Sequence, residues 1–101
     1  MTTYNKLIRD KIPEHLESKG VSYKAHIAGD QEYHEKLHEK LREEMEEFLK
    51  DENQEEMADV FEVITAILAL HGWSLEEIVA IQQQKRDEKG AFEQRIILDE
   101  S

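Results

Sequence analysis

The stretch NQEEMADVFEVITAILALHG, residues 53–72, decides the fold of this chain. Its apolar residues Met57, Val60, Phe61, Val63, Ile64, Ile67, Leu68 and Leu70 recur at intervals of three and four, the period of a helix face rather than the alternation of a strand. Asn53 is a good acceptor for the first free amides of a helix. Glu56, three positions on, is placed to return a bond, as in a capping box. His71-Gly72 supplies the stop, because glycine enters the left-handed conformation that ends a helix at little steric cost. The most apolar segment of the chain is expected to be its buried helix.

On the N-terminal side, DENQ breaks the periodicity and separates this helix from a long one over Asp30–Lys50, in which Tyr33, Leu37, Leu41 and Phe48 repeat at helical spacing and Asp30 is the expected N-cap. On the C-terminal side, Ser74-Leu75-Glu76-Glu77 repeats the capping logic. It opens a last helix through Ile78, Val79 and Ile81 to Gly90, followed by an extended tail over 91–98. Pro13 suits the first turn of a short helix running toward Lys19, with Gly20 as its stop. Residues 21–28 alternate like a strand but have no strong partner strand, and read as an extended crossover. The expectation is an all-α fold of about four helices, one domain over residues 1–101.

Composition narrows the function. Charged residues make up 37% of the chain and the formal net charge is −11, which argues against a general nucleic-acid binder, since that needs a basic footprint on the phosphates. A small phosphorylated ligand stays open if metal ions reverse the local field. There is no cysteine, so thiolate metal sites and thiol nucleophiles are absent. No apolar run reaches membrane-spanning length, and the charged start MTTYNKLIRDKIPEHL lacks the apolar core of a signal peptide, so the expected location is the cytoplasm.

Acidic residues mark the candidate site. At about 100° per residue, Glu44 falls inside the apolar stripe of the first long helix, with Glu47 on its flank and Glu43 intermediate. On the next helix Glu56 continues the face of Val63, Ile67 and Leu70, and Asp59 stands at its edge, whereas Glu46, Glu55 and Glu62 point outward. Uncompensated carboxylates on a covered face either recruit cations or take up protons. Hard oxygen donors without cysteine favour Mg²⁺ or Mn²⁺ over zinc. The plainer reading is a solvated acidic helix face with weak ion pairs to lysines four residues away.

Leu41-Arg42-Glu43-Glu44-Met45-Glu46-Glu47 followed by Glu56-Met57-Ala58-Asp59-Val60 resembles the EExxE…ExxD signature of the MazG-like all-α nucleotide pyrophosphohydrolases, relatives of phosphoribosyl-ATP pyrophosphohydrolase. Residues 4–13, YNKLIRDKIP, are similar to the opening of a small house-cleaning branch of that family. Lys85-Arg86, Gly90-Ala91-Phe92 and Arg95-Ile96 resemble its C-terminal end, although Ala91 stands where the branch usually has a second glycine and the stretch between the two acidic half-motifs is short.

The resemblance implies a helical bundle completed by oligomerisation, as a dimer or higher assembly. It implies Mg²⁺, or Mn²⁺ in its place, held by Glu44, Glu47, Glu56 and Asp59, with Glu43, Glu44 and Glu47 serving the catalysis and Glu43 orienting water or supporting groups. The implied reaction splits a nucleoside triphosphate, canonical or not, into its monophosphate and pyrophosphate. Basic groups would stabilise the departing pyrophosphate, and the candidates are Lys85, Arg86, Lys89 and Arg95, with Lys6, Arg9 and Lys11 at the other end of the chain.

Two other readings compete. His34-Glu35-Lys36-Leu37-His38 is literally H-E-x-x-H on a helix, the spacing by which two histidines bind zinc and a glutamate activates water, but charged neighbours surround it and the sequence offers no clear third ligand. His71 reads as a residue that favours the negative end of a helix. Trp73 reads as an aromatic covering core at a turn, with base stacking as its alternative. The remaining reading is a helical module that dimerises or binds a partner through its apolar faces without turnover.

Overall fold

The computed structural model describes residues 2–101. Four helices follow one another: α1 (Ile12–Ser18), α2 (Asp30–Lys50), α3 (Gln54–His71) and α4 (Leu75–Lys89), with no strand among the described residues. Residues 21–29 form the irregular crossover between α1 and α2.

Helix α3 begins where Asn53 Oδ1 accepts the Glu56 amide at 2.8 Å. The returning half of the expected capping box is not made, because the Glu56 carboxylate is directed toward Glu44 and Asp59. At its other end, Gly72 adopts φ 70° and ψ 23°. The amides of Gly72 and Trp73 bond the carbonyls of Ala69 (3.2 Å) and Leu68 (3.0 Å), a Schellman turn. The expected box at Ser74 forms in full: the Glu77 amide donates to Ser74 Oγ, and Glu77 Oε1 accepts from the Ser74 amide. Gly20, also left-handed, stops α1 after Pro13 has opened it.

Two local expectations are corrected. Gly29, not Asp30, is the N-cap of α2, since the Gly29 carbonyl accepts the Tyr33 amide at 2.9 Å; Asp30 is the first helical residue, where its charge still favours the positive end of the helix. The tail over 91–98 is not uniformly extended: a turn at Glu93-Gln94 is closed by the Arg95 amide on the Phe92 carbonyl, and Arg95 takes φ 59°.

Only three residues, 51–53, join α2 to α3, so the two helices pack back to back as an antiparallel hairpin. Leu37 from α2 and Val60 and Val63 from α3 are the buried residues between them, with Tyr33, Leu41, Phe48 and Ile67 half-covered. That is a thin core for α3, the helix expected to be buried. Only the face turned toward α2 is covered, while Met57, Phe61 and Ile64 on the next face are exposed, Phe61 by 62%.

Helix α4 leaves the end of α3 at 104° and buries no residue; Leu75, Val79 and Ile81 remain open. The radius of gyration is accordingly 18.1 Å, against about 13 Å for a compact chain of this length. No single helix among the described residues is long and apolar enough to cross a membrane.

Candidate metal centre

The antiparallel hairpin sets the C-terminal part of α2 against the first turns of α3. Glu44 comes from within the apolar stripe of α2, and its side chain is only 13% exposed because α3 covers it. Glu56 and Asp59, one turn apart on α3, are half-buried on the opposing surface. One carboxylate oxygen from each of Glu44, Glu56 and Asp59 lies within 4.8 Å of the other two.

Charge repulsion at this point is visible in Glu56. Partial burial, and then the charges of Asp59, Glu47, Glu44 and Asp51, raise its carboxyl above the ordinary value of 4.5. The repulsion is only partly offset by protein cations. Lys40 Nζ, itself well covered, bridges Glu44 Oε1 at 3.4 Å and Glu43 Oε1 at 3.5 Å. Lys6 Nζ reaches Glu43 Oε1 at 3.2 Å, and Arg9 Nη2 reaches Asp59 Oδ1 at 2.8 Å. Three carboxylates gathered this closely, with Glu56 raised by the charges around it and only oxygen on offer, fit a hard divalent cation such as Mg²⁺ or Mn²⁺.

Of the four acids read as a metal set, the fold brings Glu44, Glu56 and Asp59 together. Glu47 stands exposed on the flank of α2, outside the triad but close enough for its charge to act on Glu56. Glu43 lies at the edge, bonded to Lys6 and Lys40.

The C-terminal basic residues are placed differently. Lys85, Arg86 and Lys89 ride on α4 and Arg95 follows it, and α4 departs from the end of α3 opposite to Glu56 and Asp59. An 18-residue helix is about 27 Å long, so within one chain these four are carried away from the triad. The basic groups that do reach the acids come from the other terminus and from α2. Lys40 was legible as a four-residue partner of Glu44, but nothing in the spacing of Lys6 and Arg9 placed them on α2 and α3.

His34 and His38 stand one turn apart with ring centroids 4.4 Å apart and ring planes tilted by 47°. The hairpin also brings a third histidine: the His71 ring stands edge-on to His34 at 6.2 Å. Trp73 lies flat against His71 at 4.3 Å and is 48% exposed, so it covers an imidazole rather than the core. Along α2, His38 lies about 9 Å and His34 about 15 Å from Glu44.

No family model, curated protein or solved structure matches this chain. What fold and site define is a class: an all-α domain built on a helical hairpin, with an oxygen-only carboxylate cluster at its centre.

Proposed function

We propose that the chain is a divalent-cation-dependent nucleoside triphosphate pyrophosphohydrolase of the MazG-like kind, cleaving between the α and β phosphates. The observation that carries this reading is the approach of Glu44, Glu56 and Asp59, from two helices, to within 4.8 Å of one another. The order of these acids along the chain, in the EExxE…ExxD pattern, agrees with it.

Glu44, Glu56 and Asp59 would hold Mg²⁺, or Mn²⁺ as a substitute, with Glu47 near enough to add its carboxylate. A cation bound there supplies Lewis acidity and a lowered water pKa. The rest of the chemistry belongs to the chain. Glu43, at the rim, accepts a proton or orients water, and Lys40 pairs with Glu44 at 3.4 Å and fixes the direction of its carboxylate. No residue is needed as a covalent nucleophile.

The active form is a homo-oligomer in the cytoplasm. Its support is the exposed apolar surface of Met57, Phe61 and Ile64 on α3 and of Leu75, Val79 and Ile81 on α4, which a second copy would cover. Such packing also gives Lys85, Arg86, Lys89 and Arg95 a route to a neighbouring copy's acids, which they lack in their own chain.

The test is a pyrophosphate-release screen over canonical, deoxy and damaged nucleoside triphosphates with Mg²⁺ and with Mn²⁺. Release from at least one of them, abolished by chelation, is expected. Silence across the whole panel would favour the non-catalytic dimerisation module.

The second reading, a zinc hydrolase on His34, Glu35 and His38, gains a neighbouring imidazole in His71, although among the described residues only Glu44, Glu56 and Asp59 bring three ligand atoms within 4.8 Å of one another. Zinc content, and loss of activity in His34→Ala, would establish it. Under the main reading His34→Ala leaves pyrophosphate release unchanged.

A further inference from the structure

We propose that Arg9 is a tethered counter-ion of the acidic triad. It holds Asp59 while no divalent cation is bound, yields that carboxylate when one arrives, and, once freed, binds the phosphate oxygens of the substrate. The inference rests on the pyrophosphohydrolase reading and names how the site is occupied and then armed.

The N-terminal arm has the construction such a part requires. Residues 2–9 carry no regular structure, and Leu7 is the one residue of the arm that is not exposed. Little apolar contact therefore fixes the arm, and charge supplies most of its hold. Its two cations grip different helices: Lys6 takes Glu43 on α2, and Arg9 takes Asp59 on α3. These partners lie 37 and 50 residues away in sequence, so the arm lies across the hairpin at the triad itself.

Magnitudes favour exchange. Both arm pairs are substantially exposed, Arg9 by 57% and Lys6 by 43%, and exposed ion pairs contribute little. A divalent cation facing Glu44, Glu56 and Asp59 together meets three carboxylates at once. Mg²⁺ stands about 2 Å from a carboxylate oxygen. A guanidinium nitrogen 2.8 Å from Asp59 Oδ1 therefore takes up space and charge at the carboxylate that the cation needs. Lys40 is built differently: it is anchored on α2 beside Glu44, largely covered, and stays in place.

Once displaced, Arg9 remains tethered beside the triad, where an anionic phosphate held by the cation is the strongest remaining partner. Its planar fork binds phosphate through two nitrogens. The same side chain thus protects the acids from mutual repulsion in the cation-free chain and adds positive charge once substrate is present.

The experiment is a pair of calorimetric titrations on the full chain, wild type, Arg9→Gln and Arg9→Lys. Titrated with MgCl₂ alone, Arg9→Gln binds about two- to fivefold more tightly than wild type, the range set by loss of an exposed competing pair, and Arg9→Lys resembles wild type. Titrated with inorganic pyrophosphate in saturating Mg²⁺, Arg9→Gln binds about tenfold or more weakly, and Arg9→Lys recovers only part of the loss. Amide relaxation of residues 6–9 reports greater mobility on adding Mg²⁺ to wild type. Unchanged or weaker Mg²⁺ binding by Arg9→Gln, with normal binding by wild type, overturns the counter-ion and leaves the metal reading standing. Absence of Mg²⁺ binding by wild type overturns both.

Discussion

Lys40 Nζ lies 3.4 Å from Glu44 Oε1, one turn along the same helix, and both side chains are more than four-fifths covered. An ion pair at this spacing on an open helix face contributes a few tenths of a kcal/mol, but here it is sheltered by the α2–α3 contact and faces further acids. Lys40→Met is expected to lose on the order of 1 kcal/mol in cation-free buffer, a fall in Tm of about 5 °C. Mg²⁺ should restore most of that loss. Thermal melts in EDTA and in MgCl₂ check both halves, and an equal deficit in the two buffers would mean that Lys40 matters for packing rather than charge.

Glu56 governs the pH response of the cation-free protein. Its carboxyl is raised in the folded state, so the folded chain holds this proton more tightly than the unfolded chain does. The associated stability is complete below the ordinary value of 4.5 and is lost as pH rises through the raised folded value. Glu56→Gln should therefore match wild type near pH 4 and be the more stable of the two at pH 7 to 8 without divalent cations. With Mg²⁺ the order reverses, because the glutamine cannot replace a carboxylate ligand. Melting curves across this pH range, with and without Mg²⁺, measure the crossover.

Glu44→Gln and Asp59→Asn remove one charged donor each while keeping volume. Pyrophosphate release should fall by at least about 100-fold in either, the upper end of what even supporting ligands cost. Circular dichroism should show the helices intact, since neither side chain forms a cap or fills the core. Loss of activity with loss of helix would assign these residues to folding.

Phe61, 62% exposed on α3 beside Met57 and Ile64, tests the assembly. Where wild type scatters light as an oligomer, Phe61→Glu should scatter as a monomer. Pyrophosphate release should fall with it if a second copy completes the site. A wild-type chain that is monomeric at micromolar concentration would remove the assembly from the account.

Asn53 caps α3 through its bond to the Glu56 amide, and its removal should be felt at the acidic cluster as well. Asn53→Ala is expected to cost about 1 kcal/mol, the usual worth of a cap. The loosened first turn carries Glu56, so affinity for Mg²⁺ should drop together with stability. Parallel melts and Mg²⁺ titrations would show whether the two effects move together.

Much of this was legible in the sequence because it is local. The periodicity of α2 and α3, the Ser74 box and the stops at Gly20 and Gly72 depend on neighbours within one or two turns, and all appear as expected. The convergence of Glu44, Glu56 and Asp59 was also readable, since helical angle and a three-residue connection nearly determine which faces meet. The failures come from competition and distance. Glu56 cannot both return a capping bond and face Asp59, and periodicity does not say which wins. Asp30 and Gly29 are both acceptable where α2 begins. The positions of Lys6, Arg9 and His71 follow from how the arm and hairpin close, which no local pattern encodes. The openness of α4 was invisible because its apolar positions, read along the chain, look like those of any packed helix.

The three-residue connection at 51–53 has a consequence beyond joining two helices. With caps on both sides of it, the link acts as a spacer that sets the phase of one helix against the other. Adding a single residue there would require α3 either to rotate by about 100° or to bulge at its start. Rotation would swing Glu56 and Asp59 away from Glu44 and bring a different part of α3 against Leu37. Core and acids thus share one register, so insertions tolerated in the crossover at 21–29 should be rejected at 51–53, and a length-scanning library across the two loops would display that asymmetry.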